Sequence, residues 1–362
     1  MRQEQNVPLA RLTTLRLGGP AARLVEVENL DELVATVRDL DGRGEPLLVV
    51  GGGSNLVVAD EGFSGTVLKL AFDAITVDER GEQLVASVDG GADWDAFVAR
   101  AVGEGYRGVE CLSGIPGSVG ATPMQNVGAY GQEVSETIAR LRVLDRATGA
   151  LAWIDRADCA FAYRSSRFRG QTRYIIVQVV FALTRATDSA PIRYAELARA
   201  LGIRDGERAP LRDVRETVLR LRRAKGMVID SSDPESVSAG SFFVNPVVDA
   251  STLAAIERLH AGTVVSTGTG DSAGAAGTVP RFSTADGRFK VPAAWLIEHA
   301  GFTKGHRRGP VGISTKHALA LVHRGGGTTR DLLALARDVR NAVHTRFGVE
   351  LSAEPIMVGC AL

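Results

Sequence analysis

The chain has 362 residues, 45% of them hydrophobic, and its 42 lysines and arginines balance 42 aspartates and glutamates. That length holds two or three domains with real cores, and zero net charge argues against a nucleic-acid or acidic-membrane surface. Three scattered cysteines, Cys111, Cys159 and Cys360, fit neither a disulfide framework nor a metal site, and the opening MRQEQNVPLA is no signal peptide, so a cytoplasmic protein is expected.

Residues 23–27 alternate like a strand, and Asn29 and Glu32 resemble a capping box that opens a helix to about Leu40. Residues 46–50 read as a buried strand that runs into a glycine cluster, Gly51, Gly52, Gly53, Ser54 and Asn55. Strands follow at 66–70 and 84–88, then an amphipathic helix at 94–102. Residues 112–131, LSGIPGSVGATPMQNVGAYG, carry five glycines and two prolines, a density that no helix or strand tolerates. Interleaved apolar residues make an ordered functional loop the expectation there, with backbone N–H groups bare to an anionic or planar ligand. Further strands are expected at 138–144, 151–154 and 174–183. Composition turns polar after Thr184, and a domain junction is placed in the stretch that ends at Pro210. Pro210 starts a helix to about Gly226, followed by helices at 251–260, 292–300 and 328–347, the last capped by Thr328 and ended by Gly348. Residues 261–277 are low-complexity Gly/Ala/Ser/Thr and read as a flexible surface insertion, and 349–358 as a closing strand.

Few groups suggest chemistry when taken singly. GGGSN lacks the Lys-Ser/Thr of a Walker loop and the GxGxxG spacing of a dinucleotide fold. Paired with the second loop, it favours a cofactor with a diphosphate and a large ring. Arg164 in FAYRSS can pair with a carboxylate, although an isolated YRSS is more often a solvated turn. Ser241, between Gly240 and two phenylalanines, has no GxSxG elbow around it and no Ser-His-Asp order. Glu354 in an apolar terminal segment needs a partner or a task, and burial would raise its pKa. All six histidines lie in the C-terminal part without ligand spacing, so no metal and no histidyl-linked flavin are expected.

Taken together, these motifs resemble one family, the UDP-N-acetylenolpyruvoylglucosamine reductases. The resemblance rests on TLRLGG from Thr14, GGGSN, IPGSVGATPMQNVGAYG, FAYRSS, AGSFFVNP, AAWLIEHAG and the terminal Glu354-Pro355, and so spans nearly the whole chain. It implies an α+β protein: a two-subdomain FAD-binding domain of the vanillyl-alcohol-oxidase (PCMH) type and a C-terminal α+β substrate-binding domain. Boundaries are set at 1–70, 71–208, 209–352 and a terminal segment 353–362. It implies NADPH-dependent, FAD-mediated reduction of an enolpyruvyl UDP-N-acetylglucosamine in peptidoglycan precursor synthesis, by a cytoplasmic monomer that binds neither nucleic acid nor membrane. The implied catalytic residues are Ser241 as proton donor, Arg164 and Glu354. Non-covalent FAD is expected on Gly51, Gly52, Gly53, Ser54 and Asn55 of the first loop. On the second loop the expected contacts are Ser113, Ile115, Pro116, Gly117, Gly120, Ala121, Gln125, Asn126, Gly128, Ala129, Tyr130 and Gly131. Tyr163, Lys225, Asn245 and Lys304 match substrate-contacting positions, and Tyr194 resembles the tyrosine loop of one subtype. Phe282 stands ahead of Asp286-Gly287 where that subtype carries a tyrosine, a departure at a diphosphate contact. Rival readings are a flavin oxidase, which would favour a histidine tether in the first half, and a silent nucleotide-sugar-binding protein, which would favour loss of Ser241, Arg164 or Glu354.

Overall fold

The computed structural model describes residues 1–261, 278–284 and 286–362, without the side chain of Arg80. The insertion expected at 261–277 lies, from residue 262 on, outside the described residues. The class is α+β.

The N-terminal unit is a four-stranded sheet in the order Arg2–Pro8, Pro20–Val27, Phe63–Leu70, Leu47–Val49. Its first pair is antiparallel, and the other two pairs are parallel. Helix Leu30–Gly42 covers one face with Leu33, Val37 and Leu40. The capping box expected there forms by half. Asn29 accepts from the Glu32 N–H at 2.9 Å, but the Glu32 carboxylate accepts from Glu28 N–H instead of closing back on Asn29.

The second unit is an antiparallel sheet built on Tyr174–Arg185, which pairs with Ile138–Asp145 on one side and Gln83–Asp89 on the other. Its buried face packs Phe181 on Trp94 and Phe97 of helix Trp94–Gly103. Helix Leu211–Ala224 seats Val214 and Val218 against Cys111, Ile192 and Leu197, beside the long loop.

The C-terminal sheet runs Ser238–Ser241, Ala320–His323, Val311–Ile313, Arg307–Arg308. Helix Thr329–Phe347 packs on it through Leu332, Leu335 and Val339. Thr328 and Asp331 form a full capping box, and Gly348 ends the helix at φ 68°. The closing strand is shorter than its apolar pattern suggests. Within it only Ile356–Val358 forms a ladder, parallel to Leu56–Val58 about 300 residues earlier in the chain, and Ala353 makes an isolated antiparallel bridge to Phe243. The polypeptide therefore returns to the first glycine loop. Among the described residues no helix is long and apolar enough to cross a membrane.

Candidate active site

A cleft of about 780 Å³ opens between these units. The first glycine loop, parts of the second loop between Ile115 and Gly128, strand Ser238–Ser241 and Glu354 all contribute to its wall. The two loops touch backbone to backbone, which is why they are glycine-rich. A Cβ on Gly52 would lie 2.7 Å from Gly117 Cα, and one on Gly51 would lie 2.4 Å from Ser118 Oγ. Ser54 Oγ donates to Pro116 O at 2.9 Å and fastens the pair. Among the described residues the N–H groups of 51–55 donate to no protein acceptor, and all five residues line the cleft. That wall fits a cofactor with a diphosphate and a planar ring system.

Not every expected loop residue lines the cleft. Ser113 is fully buried and donates to Glu110 O, and Asn126 spends its amide on Glu133 and Ala162 O. Ala129, Tyr130 and Gly131 sit past the cleft edge in a small hairpin. Tyr130 instead meets Tyr194 edge to face, with ring centroids 5.4 Å apart. Cys111, the sole cysteine next to this loop, is buried in the core with Ile192 and Leu197 and does not line the cleft.

Arg164 and Glu354 meet as an ion pair, Nε to Oε1 3.1 Å, both mostly buried. Arg164 holds a left-handed backbone, φ 51°, an uncommon conformation for a side chain of this size. Its Nη2 donates to Gly128 O. Burial pushes the Glu354 carboxyl above the usual carboxylate range, against the opposing pull of Arg164 and Arg169. Gln125 donates to Glu354 Oε1 at 3.5 Å and accepts from Asn55, so both loops reach the carboxyl.

Ser241 reaches the same cleft by backbone pairing. Glu354 N–H donates to Phe242 O, and Val244 N–H to Ser352 O, so the two segments run side by side. Phe242 and Phe243 anchor the strand end in the core, and Gly240 takes φ 73° just before the serine.

A second cluster gathers cations at the edge. Lys225 Nζ lies 2.6 Å from Glu196 and over the Tyr130 ring. His317 feels Lys225, Lys304 and Arg222. Its pKa is pushed down to about 4, first by burial and then by those cations. Leu319 N–H donates to its Nδ1, which leaves Nε2 as the donor. The sequence analysis reads the histidines as metal ligands or a flavin tether, and neither reading singles out this one. Asn245 accepts from Ala293 N–H, and Lys290 sits 4.5 Å above the Tyr163 ring and 5.7 Å from Phe282. Tyr163, Tyr194, Lys225, Asn245 and Lys304 lie outside the cleft wall itself. Gly90, Gly91, Arg169 and Arg222 do line it and were not anticipated. The Gly90-Gly91 doublet after a strand was the available signal. Among the described residues no group of three or more His, Cys, Asp or Glu is poised for a metal.

The family described as UDP-N-acetylenolpyruvoylglucosamine reductase, C-terminal domain, matches residues 233–358, and an FAD binding domain family matches residues 21–155. A UDP-N-acetylenolpyruvoylglucosamine reductase from Thermobifida fusca is 55% identical over 99% of this chain and 98% of its own. Another, from Streptomyces coelicolor, is 52% identical over 100% of this chain and 92% of its own. The crystal structure of the Thermus caldophilus enzyme of that name superposes with a TM-score of 0.66 at 26% identity, covering 99% of both chains. With this identity maintained from end to end, the chain belongs to the UDP-N-acetylenolpyruvoylglucosamine reductase family.

Proposed function

We propose that this chain catalyses the NADPH-dependent, FAD-mediated reduction of enolpyruvyl-UDP-N-acetylglucosamine to UDP-N-acetylmuramate, a step of peptidoglycan precursor synthesis. The observation that carries the reading is the Arg164–Glu354 pair beside Ser241, on the wall of a cleft whose other wall is two glycine loops. Gly51, Gly52, Gly53, Ser54 and Asn55 would hold the FAD diphosphate, with Ile115, Pro116, Gly117, Gly120, Ala121, Gln125 and Gly128 against the rest. FAD, when bound, supplies a hydride carrier between NADPH and the substrate.

The residues do the remaining work. Hydride addition to the terminal enolpyruvyl carbon leaves negative charge on the adjacent carbon and its carboxylate. Arg164 answers that charge with its guanidinium, and Glu354, held towards its protonated form by burial, donates a hydrogen bond. Ser241 then delivers a proton to the carbanion, a base strong enough to take it from a hydroxyl. Lys225 and Lys304 would meet the substrate diphosphate, with Tyr194, Tyr163 and Asn245 positioning the nucleotide sugar. The cation cluster around His317 supports that placement. We also place the enzyme in the cytoplasm as a monomer. NADPH oxidation that depends on the enolpyruvyl nucleotide sugar, with a product heavier by two hydrogens, tests the reading. Oxidation that proceeds equally without that substrate contradicts it.

A further inference from the structure

The two carboxyl oxygens of Glu354 have different surroundings. Arg164 Nε lies 3.1 Å from Oε1, and Gln125 Nε2 donates to the same oxygen at 3.5 Å. Among the described residues no hydrogen bond reaches Oε2. The Gln125 amide is not free to turn over. Glu354 O is a backbone carbonyl and can only accept, so the Asn55 amide atom 3.4 Å from it must be the NH2 group. That same Nδ2 lies 2.9 Å from Gln125, which must present its carbonyl oxygen there and turn its own NH2 towards Glu354. The chain closes on itself. The main-chain carbonyl of Glu354 fixes Asn55, Asn55 fixes Gln125, and Gln125 donates to the Glu354 carboxyl. Ile356 N–H donates to Asn55 O at 2.9 Å and ties the first glycine loop to the same terminal segment. The charged and titratable groups that face this carboxyl are Arg164, Arg169 and Tyr163.

We propose that Asn55 and Gln125 are positioning residues for Glu354, a relay of fixed polarity that reserves Oε1 for N–H donors and assigns the carboxyl proton to Oε2. The proposal rests on the role given to Glu354 above. A proton on Oε1 would point at the N–H groups of Arg164 and Gln125, which have nothing to accept it. On Oε2 it is free to donate to the negative charge that develops on the substrate carboxylate after hydride addition. The relay makes and breaks no covalent bond, and the proton that Ser241 delivers to carbon is a separate one. Asn55 comes from the first glycine loop and Gln125 from the second, so the position of the Glu354 proton depends on the two loops being closed on each other.

The test is rapid mixing of the NADPH-reduced holoenzyme with the enolpyruvyl nucleotide sugar across pH. Reoxidation needs Glu354 protonated, so its rate falls on the basic side as that carboxyl ionises. Gln125→Met keeps the bulk and removes a donor that favours the carboxylate, so the basic limb should move up by about one pH unit. The plateau rate should fall about tenfold, less than for loss of a donor that touches the developing charge itself. Flavin reduction by NADPH takes no proton from Glu354 and should show no such limb shift. Gln125→Glu sets an acceptor against Oε1 and draws the proton there, so it should lose more of the plateau rate than Gln125→Met. Asn55→Ser, which lets Gln125 turn over, should move the limb the same way by less. Where Gln125→Met does not hold FAD, thermal melts decide. A folded-state pKa raised further costs stability as pH rises, so the gap to wild type should widen from about pH 5 to about pH 8. A limb and plateau unchanged in FAD-loaded Gln125→Met, a limb that moves down, or a stability gap independent of pH overturns the relay. Wild-type flavin that the substrate fails to reoxidise would instead refute the function proposed for the cleft.

Discussion

Replacing Arg164 with methionine removes the guanidinium that lies 3.1 Å from a mostly buried carboxyl. Arg164 is the largest influence holding the Glu354 pKa down, so in the variant that pKa climbs further above its unfolded value. The sign follows from proton binding. A carboxyl with a raised folded-state pKa binds its proton more tightly when folded, so stability is intact below the unfolded range near pH 4. It is lost as pH rises towards the folded value, at no more than about 1.4 kcal/mol per pH unit. The stability gap between variant and wild type should therefore be small at pH 5 and widen to about 3 kcal/mol by pH 8, the lower end of the cost of orphaning a buried ionic partner. The rate should fall at every pH, by about 10²–10³-fold, the loss typical of a donor aimed at developing oxyanion charge. Thermal melts at both pH values, paired with kcat measurements, separate the two effects. A stability gap equal at pH 5 and pH 8 would refute the claim that Glu354 is the group Arg164 holds.

The other expectations follow the same geometry. Ser241→Ala should retain FAD and be reduced by NADPH at a near-normal rate, while reoxidation by the enolpyruvyl substrate slows by more than ~10²-fold, and Ser241→Cys should recover part of that loss; rapid-mixing absorbance of the two half-reactions checks this, and a slowed reductive half with an untouched oxidative half sinks the assignment. Lys225→Ala should raise KM more than it lowers kcat, because diphosphate contacts change little in the transition state, and a normal KM with a collapsed kcat would move Lys225 into the chemistry. Gly52→Ala forces a Cβ to within 2.7 Å of Gly117 Cα, so it should part the two loops and weaken FAD retention on dilution; undiminished retention would show that the loop contact does not shape the cofactor site.

Much of the architecture was legible because its signals are local. Glycine density announced both loops, and Thr328 and Gly348 marked the ends of the longest helix. The elements that escaped are those fixed by distant pairing. Arg2–Pro8 is polar at most positions and becomes a strand only against Pro20–Val27. Residues 349–355 look like strand but make only an isolated bridge, Ala353 to Phe243, before Ile356 meets Leu56 in a ladder. The site divides in the same way. Arg164, Ser241 and Glu354 could be named from motifs, but that Glu354 is drawn to Ser241 follows from a hydrogen bond from its own N–H to Phe242 O, across more than a hundred residues. Ser113 and Asn126 look like ligand contacts in a glycine loop, yet their polar side chains are spent on tying the loop to itself and to Ala162. Arg222 sits near the end of the helix expected from Pro210 to about Gly226, in a basic stretch. Its burial depends on where the helix end docks, which no local pattern encodes.

In the proposed function, electrons pass from NADPH through this cleft to an enolpyruvyl nucleotide sugar. Anaerobic addition of one equivalent of NADPH to the purified holoenzyme should bleach the yellow oxidised flavin absorbance. Subsequent addition of enolpyruvyl-UDP-N-acetylglucosamine alone, with oxygen still excluded, should restore it stoichiometrically. A cofactor that stays reduced in the presence of that substrate, and recovers its colour only when air is admitted, would contradict the account.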